Sequence, residues 1–297
     1  VLDEEQRAGD PVPQARRRTG PDAIVVTVPS GSPPIIAFLT DFGTSDHYVG
    51  AMKGAVLTVC PTATLIDVTH AVPPQDIRVG SRLLAESFAF FPQGTIFVCV
   101  VDPGVGSARA GLAADAGGYR FVAPDNGLLG VVFDLHPPTA LVALTSSQHV
   151  RASVSRTFEG RDRFAPVAGW LGRGVPVADL GVPLHDWVRL PPDGPRVDGG
   201  TIRGHVVRVD HFGNLITNIP RGLLGTGAGA GVDVSIGGHV VRDLVATYAE
   251  GQPGRPCVLF DSSECLEIAV PLGSAAAVLG VRRGDPVVVS RATERPC

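Results

Sequence analysis

Apolar residues between positions 35 and 190 occur in short blocks with two kinds of spacing. Runs of consecutive apolar residues are typical of buried strands, and apolar residues three and four apart are typical of helices. The strand runs are "IIAFL" (35–39), "TLIDVT" (64–69), "TIFVCVV" (95–101), "YRFVA" (119–123) and "TALVAL" (139–144). The helical runs are 46–59, where Asp46 is placed to cap the first turn, 76–91 and 161–174. This alternation predicts an α/β domain over residues 35–190, with a mostly parallel sheet flanked by helices.

The pattern changes after "LPPDGPRVDGG" (190–200), which is typical of a linker. The following runs are short, β-rich and separated by Gly, Pro and Asp. They are 204–210, 231–244, 257–260, 265–270 and 285–290. Such spacing predicts a smaller β-rich, barrel-like domain over residues 200–297.

Two further segments are interpreted as irregular. Residues 1–34 are polar and rich in Pro and Arg apart from one short apolar run, which predicts a flexible extension without a signal peptide and without a part in the chemistry. The segment "GTGAGA" (225–230) loosely matches a dinucleotide fingerprint. It neither follows a strand nor opens a helix, so we interpret it as a flexible loop.

Composition narrows the function classes. The 297 residues are 44% hydrophobic and 18% charged, with a net charge of −4 and no basic stripe, which argues against a nucleic-acid partner. No apolar run reaches the roughly 18 residues of a membrane helix. The five cysteines form no CxxC pair and no Cys/His cluster, so we expect reduced thiols, no structural zinc and a cytoplasmic protein.

Polar side chains mark four strand ends of the first domain. Asp41 follows the first strand, Asp67 lies in the second, Asp102 follows the third, and Asp125 and Asn126 follow the fourth. Turn capping explains each one alone. Because the ends of parallel strands share one edge of a sheet, the four together make a binding crevice an equally good interpretation.

Other polar residues leave similar alternatives open. The segments "DHFGNLITNI" (210–219) and "FDSSECLEIAV" (260–270) set small polar residues against a strand, so each is either a ligand-binding turn or a tight turn. We interpret His70 as a hydrogen-bonded structural residue, because no obvious orienting partner precedes it.

Several segments carry a resemblance to a known family. They are "TDFGTSDHYVGAMKG", "IDVTHAVPPQDIRVGS", "VDPGVGSAR", "APDNGLL", "GRDRFAPVA" and "DHFGNLITNI". In this order they resemble the motifs of the S-adenosyl-L-methionine (SAM) hydrolases that form adenosine. These enzymes are also called SAM hydroxide adenosyltransferases and are related to the fluorinase and the chlorinase. The resemblance covers residues 35 to about 290.

The resemblance implies a fold, an assembly and a reaction. The family's α/β N-terminal domain and β-rich C-terminal domain agree with the two predicted domains, and the implied assembly is a homotrimer with sites at the subunit interfaces. The implied reaction is attack of water, as hydroxide, on the ribose C5′ of SAM, which gives adenosine and L-methionine. No metal or cofactor is implied, and the expected partner is this small molecule, with no nucleic acid and no membrane.

The resemblance also assigns the residues that activate water. Asp102 and Arg109 match the family's Asp and Arg, whereas the third residue, a His in an "HGRD" motif, is replaced here by Glu159 in "TFEGRDRFAP". One alternative is that Glu159 replaces the His as a hydrogen-bonding partner or base; the other is a catalytically weak protein that binds SAM or adenosine. We favour activity, because Arg109 can offset one of the two carboxylates.

The substrate contacts implied by the resemblance lie in both domains. Asp41 is expected to hold the ribose diol by accepting two hydrogen bonds. Asp210 and Asn214 are expected to hold the ammonium and carboxylate region of the methionine, and Ser262 its carboxylate. The backbone near Leu272 is expected to face adenine.

A SAM-dependent halogenase with the same fold is the other alternative. The resemblance implies that halogenating relatives lack the Asp102/Arg109 pair, and that the fluorinase carries a long insertion before the segment matching "APDNGLL". In this chain that segment follows Arg109 closely. Hydrolysis is therefore the preferred prediction.

Overall fold

The computed structural model describes residues 31–224 and 231–291 of the chain. These residues form two compact units that divide between Asp193 and Gly194. The first is a mixed sheet with flanking helices and the second a nearly closed antiparallel barrel, so the predicted fold class is confirmed. Nearly all of the predicted extension, residues 1–30, lies outside the described residues, as does the predicted loop at 225–230.

The first unit is a seven-stranded sheet in the order β2-β1-β3-β5-β4-β6-β7. Its strands are β1 (Ile35–Thr40), β2 (Thr64–Thr69), β3 (Ile96–Val100), β4 (Gly111–Ala116), β5 (Tyr119–Pro124), β6 (Ala140–Leu144) and β7 (Gly181–Pro183). Its helices are α1 (Tyr48–Val59), α2 (Ile77–Ser87), α3 (Gly130–Leu135) and α4 (Ala165–Gly172). The strands β2, β1, β3 and β5 are parallel, whereas β4, β6 and β7 pair antiparallel.

The central strands are buried on both faces. On β1, Phe38 packs into the core cluster on one face and Leu39 into the cluster on the other. On β3, Val98 and Cys99 divide in the same way. Successive side chains of a strand point to opposite faces, so a strand covered on both sides reads as an unbroken apolar run. Because helices cover both faces of the sheet, polar functional side chains can reach solvent and ligands only at the ends of these strands.

Three local predictions for the first unit need correction. The strand β4 was not predicted, because its Gly- and Ala-rich sequence carries little β-propensity, and its antiparallel insertion makes the sheet mixed. Asp46 does not cap α1, which begins after His47 without a side-chain cap. Asp76 does cap α2, accepting a hydrogen bond from Val79 N at 3.0 Å. The predicted helix 161–174 is a π-helical turn at Gly160–Phe164 followed by the shorter α4.

The second unit is an antiparallel sheet in the order β12-β11-β15-β9-β10-β14-β13, with β8 paired to β9. Its strands are β8 (Arg196–Asp198), β9 (Thr201–Val209), β10 (Leu215–Pro220), β11 (Val232–Ile236), β12 (His239–Val241), β13 (Cys257–Phe260), β14 (Cys265–Ala269) and β15 (Pro286–Arg291). A short helix, α5 (Ala275–Leu279), precedes the last strand. The sheet curls around one apolar core, and the segment that follows the end strand β12 meets the other end strand, β13, at a parallel bridge between Leu244 and Val258.

Two further observations concern features predicted from composition. Within the described residues, no helix combines the length and the apolar content that a membrane crossing requires. Cys60, Cys99 and Cys257 are buried free thiols, and burial raises the pKa of the Cys99 thiol far above its ordinary value. Cys297 lies outside the described residues.

Candidate active site

The turn after β3 brings an acidic residue, Asp102, and a basic residue, Arg109, together. Asp102 follows the buried end of the strand, and the chain turns so that Val105 N donates to the Asp102 carbonyl at 3.2 Å. Gly106 has a φ of +79°, and a side chain there would collide with the carbonyl oxygen of Arg156. The glycine therefore lets the loop pass close to the neighbouring backbone and return toward Asp102.

Asp102 and Arg109 form a bidentate ion pair. Arg109 Nε donates to Asp102 Oδ1 at 2.9 Å, and Arg109 Nη2 donates to Asp102 Oδ2. The two side chains are 4% and 10% exposed, respectively. The turn accounts for their spacing in the sequence, since seven residues reach around it and return to the strand end.

Glu159 joins this pair from a distant segment. Arg109 Nη2 also donates to Glu159 Oε2 at 2.6 Å, and the Glu159 side chain is 10% exposed. Burial alone would lower the pKa of Arg109, but the hydrogen bonds and charges of Asp102 and Glu159 raise it above its ordinary value. The three residues predicted to activate water are thus in contact: Asp102 and Glu159 both accept hydrogen bonds from the guanidinium of Arg109, which stays charged.

The π-helical turn Gly160–Phe164 contributes two further contacts. Arg163 Nη2 lies 3.5 Å from Glu159 Oε1, and the Arg109 guanidinium carbon lies 5.5 Å from the centre of the Phe164 ring. A side chain at Gly111 would come within 2.6 Å of that ring, so glycine there leaves room for it. Sequence reasoning missed Arg163, although its spacing of four residues from Glu159 on one helical segment was a usable signal.

A buried carboxylate anchors the same turn. Asp162 is fully buried, accepts from Ser155 N at 2.8 Å and pairs with Arg161 Nε at 2.7 Å and Arg151 Nε at 3.2 Å. Burial alone would raise the pKa of Asp162, but the Arg161 side chain and the Ser155 amide lower it below its ordinary value. Asp162 therefore ties the turn that follows Glu159 to the preceding segment through Arg151 and Ser155.

The end of β1 is held by a second polar network. Asp41 Oδ2 accepts from Gln75 N at 2.7 Å, and Gln75 has a φ of +67°. Next to Asp41, Thr40 Oγ1 lies 2.8 Å from His70 Nδ1, and His70 Nε2 lies 2.9 Å from Asp67 Oδ1. His70 is thus a buried, hydrogen-bonded residue, and the orienting partner that sequence reasoning did not find is Asp67, three residues before it.

The other predicted strand ends also have partners within the protein. Asp67 Oδ2 accepts from Lys53 Nζ at 2.7 Å. Asn126 Nδ2 donates to the Val101 carbonyl at 2.9 Å, directly before Asp102, and Asp125 Oδ1 accepts from Val188 N at 2.9 Å. Asn126 therefore supports the end of β3, whereas Asp67 and Asp125 are tied to other segments.

In the second unit, Asp210 and Asn214 lie together in the turn between β9 and β10. Asp210 Oδ1 accepts from Phe212 N at 2.9 Å and from Asn214 N at 2.8 Å, and Asp210 Oδ2 accepts from Asn214 Nδ2 at 3.1 Å. These contacts are those of a tight turn, and they fix the orientation of the carboxylate. The ligand-binding interpretation of this segment remains a prediction.

A buried glutamate lies beside that turn. Glu267 on β14 is 2% exposed, and its Oε1 accepts from the Tyr248 hydroxyl at 2.8 Å. Burial raises the pKa of Glu267, and the charges of Asp210 and Asp261 add to this, while Tyr248 and, more weakly, Arg208 oppose it. The ends of β9 and β13 therefore converge near Glu267. The signal for this residue was an acid inside the apolar run "CLEIAV".

The remaining predicted contacts lie on turns of the second unit. Ser262 follows Asp261, whose Oδ1 accepts from Ser263 N at 2.9 Å and from Cys265 N at 2.8 Å. Leu272 is 97% exposed with a φ of +58°.

Near Leu272, the turn that holds Asp210 contacts the start of α5, where Ala276 N donates to the Gly213 carbonyl at 2.9 Å. Phe212, in that turn, is 73% exposed. This end of the barrel thus presents apolar surface beside its polar turns.

The charged group of Asp102, Arg109 and Glu159 has a clear chemical use. Among the described residues, no group of three or more His, Cys, Asp or Glu side chains is arranged to hold a metal ion. Carboxylates fixed by a guanidinium in a nearly dry position can orient a water molecule and accept its proton.

Comparison with known families matches both units to one family. Residues 36–181 match the family described as SAM hydroxide adenosyltransferase N-terminal domain, and residues 204–288 match its C-terminal domain. The two matches fall on either side of the division between the two units.

Individual proteins show the same relationship. The chain is 39% identical over 272 residues to an (R)-S-adenosyl-L-methionine hydrolase from Salinispora arenicola, covering 87% of this chain and 98% of the other. It is 32% identical to a fluorinase from an Actinoplanes species, covering 89% and 100%. Among solved structures, an uncharacterised conserved protein from Thermotoga maritima superposes with a TM-score of 0.82 at 36% identity, covering 86% of this chain and all of that one.

Proposed function

Because the chain belongs to the SAM hydroxide adenosyltransferase family, we propose that it hydrolyses S-adenosyl-L-methionine to adenosine and L-methionine. The observation that carries this function is the buried group of Asp102, Arg109 and Glu159, three charged side chains joined through one guanidinium. A binding protein has no evident need to bury such a group.

The chemistry of the substrate explains why so few groups suffice. The sulfur of a sulfonium leaves as a neutral thioether, so no acid is needed to protonate the leaving group. The enzyme has to orient a water molecule opposite the sulfur and remove its proton. Because hydroxide and sulfonium lose their charges as they react, a site of low exposure favours the transition state.

We assign to Glu159 the role of the base that accepts the proton of the attacking water. Both oxygens of Asp102 accept hydrogen bonds from Arg109, whereas Glu159 Oε1 has its nearest cation, Arg163, at 3.5 Å. Glu159 Oε1 is thus the less engaged carboxylate oxygen of the group. In this mechanism Asp102 and Arg109 hold the water and Glu159, in place of a histidine, accepts its proton.

The substrate contacts follow from the resemblance and fit the local geometry. Asp41 binds the ribose diol, and its carboxylate is oriented by the Gln75 amide. Asp210 and Asn214 bind the ammonium and carboxylate region of the methionine, Ser262 binds its carboxylate, and the exposed turn at Leu272 faces adenine.

The same proposal covers the assembly of the protein, its location and its need for cofactors. It includes a homotrimer with sites at subunit interfaces, a cytoplasmic location, and domains at 35–190 and 200–297, which the family matches at 36–181 and 204–288 support. Hydrolysis of a sulfonium needs no redox group, and the reaction is proposed to need neither a metal nor a cofactor.

Product identification tests the function. Purified protein incubated with SAM is expected to release adenosine and methionine in equal amounts, with and without EDTA, and Asp102→Asn is the matched inactive control. A 5′-halo nucleoside formed in chloride or fluoride would identify a halogenase. SAM binding without any product would identify a binding protein.

A further inference from the structure

Glu159 lies between two arginines rather than beside one. Its Oε2 accepts from Arg109 Nη2 at 2.6 Å, and its Oε1 lies 3.5 Å from Arg163 Nη2. The Arg163 side chain is 27% exposed, so the pair is partly shielded from solvent. Neither the proposed mechanism nor the resemblance gives Arg163 a role.

The formal charges of the site explain why a second arginine is useful. Asp102 and Arg109 with a neutral histidine sum to zero. Replacing the histidine by the carboxylate of Glu159 leaves one negative charge in excess, and Arg163 restores the sum to zero. An excess carboxylate in a nearly dry site is costly unless a cation lies close to it.

The backbone places Arg163 where this balance requires it. Residues four apart on a helical segment lie on the same face and come close to each other. Glu159 directly precedes the turn and Arg163 lies within it. A Cβ at Gly111 would lie 2.6 Å from the Phe164 ring and 3.4 Å from Arg163 Cδ, so Phe164 requires the glycine and Arg163 packs beside it at contact distance.

The surroundings of Glu159 offer few other charges. The turn after β3 contributes Asp102 and Arg109, and the π-helical turn contributes Arg163. On the side of α1, the neighbour of the adjoining Gly160 is the apolar Met52. Arg161 is engaged with Asp162.

We propose that Arg163 is a positioning residue that allows a carboxylate to work at position 159. It balances the charge of Glu159 and orients Oε1 toward the water without touching the substrate. This proposal rests on the proposed hydrolysis and adds to it a coupled pair: the glutamate is useful because the arginine is present.

The test is a set of four proteins: the parent, Arg163→Gln, Glu159→His and the double variant. In the parent background, Arg163→Gln is expected to lower kcat/KM about fivefold to tenfold. It should also move the acid limb of the pH–rate profile upward by about one pH unit, because a carboxylate that loses a cation protonates more readily. In the Glu159→His background, the same substitution should change neither quantity appreciably.

Two further variants separate positioning from folding. Arg163→Lys keeps the charge and is expected to restore the acid limb. Arg173→Gln removes a guanidinium that lies over Trp170 at the end of α4, and it should leave the profile as in the parent. Equal effects of Arg163→Gln in both backgrounds would overturn the proposal.

Failure of the proposed function would look different. In that case the parent releases no adenosine, and the pairing is judged from the urea midpoints of the same four proteins. A smaller loss for Arg163→Gln in the Glu159→His background than in the parent would support the pairing. Additive losses would overturn it.

Discussion

Both units bury carboxylates, but they balance the charge differently. In the first unit, Asp102 and Glu159 share Arg109, whose pKa is raised by their hydrogen bonds and charges against the opposing effect of burial. In the second unit, Glu267 is buried against the neutral Tyr248 hydroxyl, and burial together with two nearby carboxylates raises its pKa. The first group is balanced once Arg163, 3.5 Å from Glu159, is counted with Arg109, whereas the second carries surplus negative charge.

The difference fits two steps of one reaction. A group that handles the proton of water must keep its charges in place whether or not substrate is bound, which the guanidinium ensures. A group that receives a cationic ligand gains from unbalanced negative charge, since the ligand then supplies the missing cation. Under the proposed function, the ammonium of the methionine moiety is that cation.

Removing Arg109 should break the balanced group most severely. Arg109→Ala leaves Asp102 and Glu159 buried without their shared cation, which costs about 3–5 kcal/mol of stability in comparable pairs. We expect kcat/KM for adenosine formation to fall about 10²- to 10⁴-fold. Chromatographic detection of adenosine checks the activity and urea unfolding the stability.

Arg109→Lys is the control, because it keeps the charge but cannot donate from two nitrogens to one carboxylate. An Arg109→Ala protein that retains parental activity would show that the ion pair is only structural.

Glu159→Gln sharpens the assignment of the proton. Glutamine keeps the shape and some hydrogen bonding but cannot accept the proton. We expect kcat to fall about 10²-fold, with a much smaller change in substrate binding. Glu159→His, which restores the family's residue, should retain or raise activity. Parental turnover by Glu159→Gln would make Glu159 a bystander and leave Asp102 and Arg109 to activate the water.

Mixing variants tests whether the two groups serve one site across subunits. Asp102→Ala damages the first unit and Asp210→Ala the second. In co-refolded trimers with sites between subunits, about a quarter of the sites would combine two intact halves, so about a quarter of parental activity should return. Mixed trimers that stay inactive would place each site within a single chain.

The smallest expected effect concerns the unbalanced group. Because the pKa of Glu267 is raised on folding, folded protein binds its proton more tightly, and stability falls as pH rises from the ordinary glutamate pKa through the raised one. Glu267→Gln still accepts from Tyr248 and has no charge to lose. It should melt about 2–4 °C above the parent at pH 8 and at the same temperature at pH 4.

The contrast between the units was only partly predictable. The Asp102–Arg109 pair follows from a buried strand, a Pro-Gly turn and a short return, all readable in the sequence. Arg163 was not predicted, because the predicted helix began at residue 161 and left Glu159, four residues before Arg163, outside it.

Other differences have equally local causes. The strand β4 lacks the β-branched residues that mark a strand, and its place between β5 and β6 depends on pairings distant in the sequence. The position of Glu267 could be read, but its neighbours Asp210 and Asp261 meet it only through the curl of the barrel. His70 was interpreted without its partner Asp67, because spacing alone does not show a side-chain contact across a turn.

The closing bridge of the second unit has a consequence for motion. The segment that follows β12 meets β13, where Val258 N donates to the Asp243 carbonyl at 2.7 Å and Val245 N donates to the Val258 carbonyl at 2.9 Å. Strand β15, in contrast, is hydrogen-bonded to a strand on each side, β11 and β9. Local opening should therefore begin at this junction. We expect the backbone amides of β12 to exchange their hydrogens with solvent before the backbone amides of β15 do. The turn that holds Asp210 connects β9 to β10, which pair in the middle of the sheet. We therefore expect this turn to keep its hydrogen bonds while the junction opens.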